Sequence, residues 1–79
     1  MDKQDMIDFM KETLSEVMGE DITDIDENTS FFKLGISSVD ALKTMNVVGR
    51  KLNIEIDPAA MFEYKNIAEM AEYLQTLTQ

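Results

Sequence analysis

The sequence contains no cysteine and no histidine. The first absence excludes disulfides, thiolate zinc sites and a cysteine nucleophile. The second removes the usual general base and the commonest metal ligand, and with them any Ser-His-Asp arrangement. Proline occurs once against seven methionines, a balance that suits helices better than sheets. No apolar run approaches the roughly 18 residues of a membrane span, and the N-terminus lacks the basic and apolar regions of a secretory signal. The expectation is a soluble, cytoplasmic helper, without catalytic machinery of its own and without a membrane partner.

Positive charge is scarce as well. Sixteen acids against seven bases leave a net charge of −9, which repels nucleic acid and anionic membrane and favours partners with basic patches. Residues 1–37 hold ten acids and three bases, whereas residues 38–79 hold six and four. The hydrophobic fraction of 44% nonetheless argues against disorder. Residues 1–79 fit one domain, and a monomer is expected. A domain of this size is stable by about 4–12 kcal/mol.

The periodicity predicts an all-α fold. Met6, Met10, Leu14 and Met18, with Ile7 and Val17, form one face of a helix from Lys3 to Met18, and Gly19 is a natural stop. Glu20 to Ser37 reads as a long loop whose apolar anchors, Ile22, Ile25, Phe31, Phe32 and Leu34, insert into the bundle. So long a loop in so small a domain points to function. A second helix from Ser38 to Leu52 carries Leu42, Met45, Val48 and Leu52 as an inward stripe. Within it, Gly49 allows either the close approach of another helix or room for a guest chain. Asp57-Pro58 predicts the cap and first position of a short helix over Ala59 to Phe62. Asn66 and Glu69 have capping-box spacing at the head of a last helix, whose inward face is Ile67, Met70, Ala71 and Leu74. The result is a small bundle of three main helices and one short one, with a long loop between helices one and two.

Asp24, Asp26 and Asn28 suggest a calcium loop, but positions six and twelve hold Thr29 and Gly35 rather than glycine and glutamate, so these acids read as a solvated face. The stretch Leu34-Gly35-Ile36-Ser37-Ser38-Val39-Asp40 is more informative. Ser37 stands three residues before Asp40 and suits an N-cap, which leaves Ser38 just inside the helix with a free hydroxyl at the positive end of the dipole. A phosphate ester is favoured there. Alternatively, both serines are ordinary capping residues.

That stretch resembles the attachment site of acyl carrier proteins and peptidyl carrier domains. Thr29-Ser30-Phe31 looks like the family's loop anchor. Phe62-Glu63-Tyr64-Lys65-Asn66-Ile67 with Ala71-Glu72-Tyr73-Leu74 is similar to the tail of polyketide and nonribosomal carriers. The resemblance implies a non-catalytic carrier. Ser38 would accept 4′-phosphopantetheine from coenzyme A through a separate phosphopantetheinyl transferase. Acyl, aminoacyl or polyketide intermediates would then ride as thioesters on the arm. Further partners implied are an acyl-loading or adenylating enzyme and a ketosynthase, condensation or other tailoring enzyme. This accounts for a chain without cysteine or histidine, because the reactive sulfur arrives with the prosthetic group.

Departures from the fatty-acid members point toward specialised metabolism. Those carriers often have aspartate before the serine, leucine after it and an acidic second helix. Here Ser37 and Val39 flank Ser38, and Asp40 is outnumbered by Lys43, Arg50 and Lys51. Asn46 stands where the family often presents an apolar contact. The docking face is accordingly expected around Ile36, Ser37, Val39, Asp40, Lys43 and Asn46. The alternatives are a fatty-acid synthesis carrier and an unmodified helical interaction module with the carrier fold.

Overall fold

Local sequence chemistry sets the helix boundaries in the computed structural model, which describes residues 1–78. Helix α1 spans Lys3–Met18, α2 Ser38–Leu52, α3 Ala60–Glu63 and α4 Ile67–Thr78. At the head of α1, the Asp2 carboxylate accepts the Asp5 N–H at 2.8 Å. At its end Gly19 adopts φ +70° and returns its N–H to the Ser15 carbonyl, the left-handed cap that glycine adopts without a Cβ penalty. Asn66 caps α4 reciprocally: its Oδ1 accepts the Glu69 N–H at 2.8 Å while its Nδ2 donates to the Glu69 carboxylate at 3.0 Å.

Helix α1 packs on both α2 and α4, and α3 packs on α2. Met6, Ile7, Met10 and Leu14 of α1 meet Ile67, Met70, Ala71 and Leu74 of α4 in the core, all buried as the periodicity predicts. From α2 the buried side chains are Ala41, Thr44, Met45 and Val48. Helix α2 is thus rotated from the expected stripe: Leu42 is 44% exposed and Leu52 only half-buried. The physical reason lies in what Ala41 and Thr44 allow. Their small side chains let the helix approach closely, and the Thr44 hydroxyl donates to the Asp40 carbonyl at 2.7 Å, so it enters the core satisfied. Thr13 is buried too, but its hydroxyl has no partner among the described residues, a burial that costs about 1–3 kcal/mol on mutational scales.

The loop from 19 to 37 is strapped across the bundle. Ile22 N–H donates to the Ser15 hydroxyl, which in turn donates to the Lys11 carbonyl. Glu27 C=O accepts the Ala68 N–H at 3.0 Å, and Phe31 N–H donates to the Lys65 carbonyl at 2.8 Å. Ile22, Ile25, Leu34 and Ile36 pack against the core, and Phe31 enters it. Phe32 does not: it is 91% exposed. Successive side chains in a tight turn point different ways, so only one of the two phenylalanines faces inward. Two of the loop acids, Asp21 and Asp26, bind backbone N–H groups. Asp21 accepts the Thr23 N–H and hydroxyl, which hold its carboxyl below the usual carboxylate value, the N–H contributing more.

Two further expectations need correction. The short helix begins at Ala60, not Ala59. Asp57 accepts the Ala59 N–H at its carboxylate and the Ala60 N–H at its carbonyl, which makes Asp57-Pro58 a turn ahead of the helix. At Gly49 the close neighbour is not a helix. A Cβ there would lie 3.1 Å from the Ile54 carbonyl oxygen, because the chain leaving α2 folds back and Ile54 N–H donates to the Gly49 carbonyl.

The rotation of α2 is testable by urea denaturation. Leu14→Ala should lower stability by about 2–5 kcal/mol, whereas Leu42→Ala should cost about 1 kcal/mol or less. Equal losses would contradict the rotation.

Candidate functional site

The site is built from the turn that ends the long loop. Gly35 N–H donates to the Phe32 carbonyl and Ile36 N–H to that of Phe31. Gly35 has φ +75°, and a Cβ on it would meet nothing within 4 Å. Glycine is therefore required by backbone conformation and not by lack of space. The chain then extends through Ser37, at φ −77° and ψ 164°. The Ser37 hydroxyl accepts the Asp40 N–H at 3.1 Å and its carbonyl accepts the Ala41 N–H at 2.9 Å. No return bond from the Asp40 carboxylate to Ser37 is made among the described residues, so the cap is the expected N-cap without its reciprocal half.

Ser38 is the first residue of α2 and is exposed. Among the described residues its hydroxyl makes no hydrogen bond, and the N–H groups of Ser38 and Val39 find no acceptor. The two adjacent serines thus differ. One hydroxyl is committed to the helix. The other stands free beside two unpaired N–H donors at the positive end of a 15-residue helix dipole.

The remaining candidate residues divide. Ile36, Ser37 and Ser38 line one groove together with Phe31, Met61 and Phe62. Asn46 lines a different one, with Leu42, Gly49, Arg50 and Ile54. Val39 is 67% exposed and lines neither, as is true of Asp40 and Lys43. The charge along α2 also divides. Lys51 bonds the Glu16 carboxylate at 2.9 Å and lies 5.9 Å from the centre of the Phe9 ring, so it is turned toward α1. Lys43 and Arg50 make no ion pair among the described residues. Phe32, Phe62 and Leu42 are exposed apolar residues near the site that the sequence pattern assigned to the core or left unplaced. Two adjacent phenylalanines in one loop were the available signal that one of them faces out. No helix among the described residues is long and apolar enough to cross a membrane, and none of their acidic side chains form a group placed to hold a metal.

The structure is thus a helical bundle whose second long helix opens on an unengaged serine. Residues 8–74 match the family described as phosphopantetheine attachment site, and the chain belongs to that family. Over 60 residues, 76% of this chain, it is 32% identical to malformin synthetase mlfA of Aspergillus sclerotiicarbonarius. Over 66 residues, 84% of the chain, it is 20% identical to polyketide synthase PksL of Bacillus subtilis. The chain spans about 1% and 2% of the lengths of these two relatives. Among solved structures, a free-standing peptidyl carrier protein from an uncharacterised secondary metabolic pathway of Acinetobacter baumannii superposes with a TM-score of 0.90 at 24% identity, covering 99% of this chain and 98% of that one. BlmI, a type-II acyl carrier protein from Streptomyces verticillus involved in bleomycin biosynthesis, superposes with a TM-score of 0.86 at 19% identity, covering 98% and 90%. At these identities the structural likeness concerns the fold, which is that of carrier proteins.

The difference between the serines has a thermodynamic signature. Ser37→Ala should lower unfolding free energy by about 0.5–2 kcal/mol through loss of the cap, while Ser38→Ala should stay within about 0.5 kcal/mol of wild type. A larger loss for Ser38→Ala would mean that the two roles are exchanged.

Proposed function

We propose that this protein is an acyl or peptidyl carrier of a specialised-metabolite pathway and that Ser38 is the residue that receives 4′-phosphopantetheine. The single observation that carries this reading is the free, exposed Ser38 hydroxyl beside the capped Ser37. The residues fit the group: two unpaired N–H donors and the helix dipole favour a phosphodiester at that oxygen. In the transfer, the Ser38 oxygen forms a bond to the pantetheine-side phosphorus of coenzyme A. The bond to the 3′,5′-adenosine diphosphate leaving group breaks, and the hydroxyl proton passes to a base on the transferase. Once bound, the group supplies a thiol that holds acyl or aminoacyl cargo as a thioester. Ser37 keeps the helix start rigid while its neighbour is modified.

The partners of this reading are a phosphopantetheinyl transferase, a loading or adenylating enzyme, and ketosynthase or condensation enzymes. Relatedness to a malformin synthetase and a polyketide synthase supports a specialised pathway. So does the charge of α2, where Asp40 is outnumbered by Lys43 and Arg50, which no carboxylate among the described residues pairs.

Incubation with coenzyme A and a broad-specificity transferase, read by intact mass, tests the site. Ser37→Ala should gain the arm and Ser38→Ala should not; labelling of Ser38→Ala would refute the assignment. Partner choice has its own test. A transferase built for an acidic helix should modify the wild type slowly, since like charges at a contact suppress association. Lys43→Glu with Arg50→Glu should raise its rate on the order of 10-fold at low salt. Lys51 stays unchanged because it is held by Glu16. No gain would remove charge on α2 as the selector.

A further inference from the structure

The outer face of α4 is set by its spacing. Glu69, Glu72, Tyr73 and Thr76 stand at i, i+3, i+4 and i+7, one stripe of the helix opposite the buried Ile67, Met70, Ala71 and Leu74. No lysine or arginine occurs within Ile67–Thr78. Against this stripe lies Tyr64, the C-cap of α3. The rings of Tyr64 and Tyr73 stack with centroids 4.4 Å apart and planes 14° from parallel. Both tyrosines, Glu69, Glu72 and Thr76 together line a groove of about 310 Å³. It shares no lining residue with either groove along α2.

The stack clasps the end of α3 to α4, yet the groove offers more than a clasp. Neither tyrosine hydroxyl makes a hydrogen bond among the described residues. Glu69 gives one carboxylate oxygen to the Asn66 amide, and Glu72 gives one to Lys3 at 3.4 Å, so each keeps its other oxygen without a partner there. The Lys3–Glu72 pair is exposed at both side chains, 46% and 66%, and a pair of that kind contributes little and is readily exchanged. Burial first, then Glu63 and then Tyr73, raise the Tyr64 hydroxyl above its ordinary value, so the ring stays neutral.

An aromatic floor with carboxylates beside it has a specific complement. A flat guanidinium lies on an aromatic face and directs its N–H donors within its own plane, toward carboxylates beside the ring. An ammonium is a compact, strongly hydrated charge and gains less there. A metal ion finds no group of ligands among the described residues. A second copy of this chain is opposed by the net charge of −9 that both copies carry.

We propose that this groove is a second docking surface and that its occupant is an arginine of a partner protein, laid on the tyrosine stack and paired with Glu69 and Glu72. It stands whether or not Ser38 carries a prosthetic group. Lys43 and Arg50 of α2 lie outside it, so the protein offers its partners surfaces of opposite charge.

Amide NMR titration at low salt tests the surface. The probes are Gly-Ser peptides holding two arginines, two lysines or two citrullines, taken to about 5 mM so that a millimolar contact is seen. The arginine peptide should shift Tyr64, Glu69, Glu72, Tyr73 and Thr76 and bind about 3-fold or more tightly than the lysine peptide. The citrulline peptide should not bind. Absence of shifts, equal binding of the lysine peptide, or shifts spread over Asp24, Asp26 and Glu27 would overturn the proposal. This comparison needs no variant. Glu69→Gln with Glu72→Gln, both at exposed positions, should weaken the arginine peptide about 5-fold or more. Tyr73→Leu should abolish the preference for arginine over lysine. Circular dichroism checks that each variant stays folded, and unchanged binding or preference in folded protein would overturn the docking surface. Shifts at the groove that grow with protein concentration in the absence of peptide would make the occupant a second copy and overturn it as well.

Discussion

The head of α2 depends on how Phe31 is held. Its side chain is 6% exposed in the common core, and its N–H donates to the Lys65 carbonyl at 2.8 Å. Burial of a phenylalanine contributes about 1.5–3 kcal/mol, more than the net 0.5–1.5 kcal/mol of a typical hydrogen bond. Burial therefore anchors the loop, and the hydrogen bond sets its direction. From that anchor the turn closes through Gly35 and Ile36 onto the carbonyls of Phe32 and Phe31, leaving Ser37 extended and α2 to begin at Ser38. The same strap brings Glu27 C=O to the Ala68 N–H, which satisfies one of the orphan donors of α4. A long loop in a small domain is thereby made into a fixed edge.

A helix start presents several donors and needs only some of them capped. Ser37 takes the Asp40 N–H with its side chain and the Ala41 N–H with its carbonyl. The N–H groups of Ser38 and Val39 are left over, beside a hydroxyl that nothing else claims. Exchanging the two serines' roles would tie the free hydroxyl into backbone hydrogen bonding and leave the cap unmade. Conformational stability and chemical availability are therefore assigned to adjacent residues and do not compete.

Much of this was legible in the sequence, because caps and periodicity are local. The bounds of α1 and α2 follow from Gly19 and Ser37, and the cap of α4 from the Asn66–Glu69 spacing. The errors arose where two local signals were equivalent and tertiary packing chose between them. Leu42 and Ala41 are neighbours on α2, and hydropathy favours leucine for the core. The core instead takes the small Ala41 and a threonine that bonds its own helix. Phe31 and Phe32 are identical to any hydropathy scale, and core packing together with the Phe31 N–H bond to the Lys65 carbonyl distinguishes them. Lys51 likewise looked like Arg50 until the position of Glu16 on α1 claimed it.

The uneven distribution of charge has a spatial counterpart. The acids of the first half lie along α1 and the early loop, where Asp21 and Asp26 bond the backbone and Glu16 meets a lysine. The groove beside Ser38 contains none of them. Since the net charge of −9 opposes a further anion, the phosphodiester proposed at Ser38 is favoured by a local balance that departs from the global one. Lys65, unpaired donors and aromatic walls make that departure at one end of α2, while Lys43 and Arg50 carry positive charge further along it. The protein as a whole is thus attractive to basic partners, whereas the surface next to its serine is suited to an anion and to apolar contact.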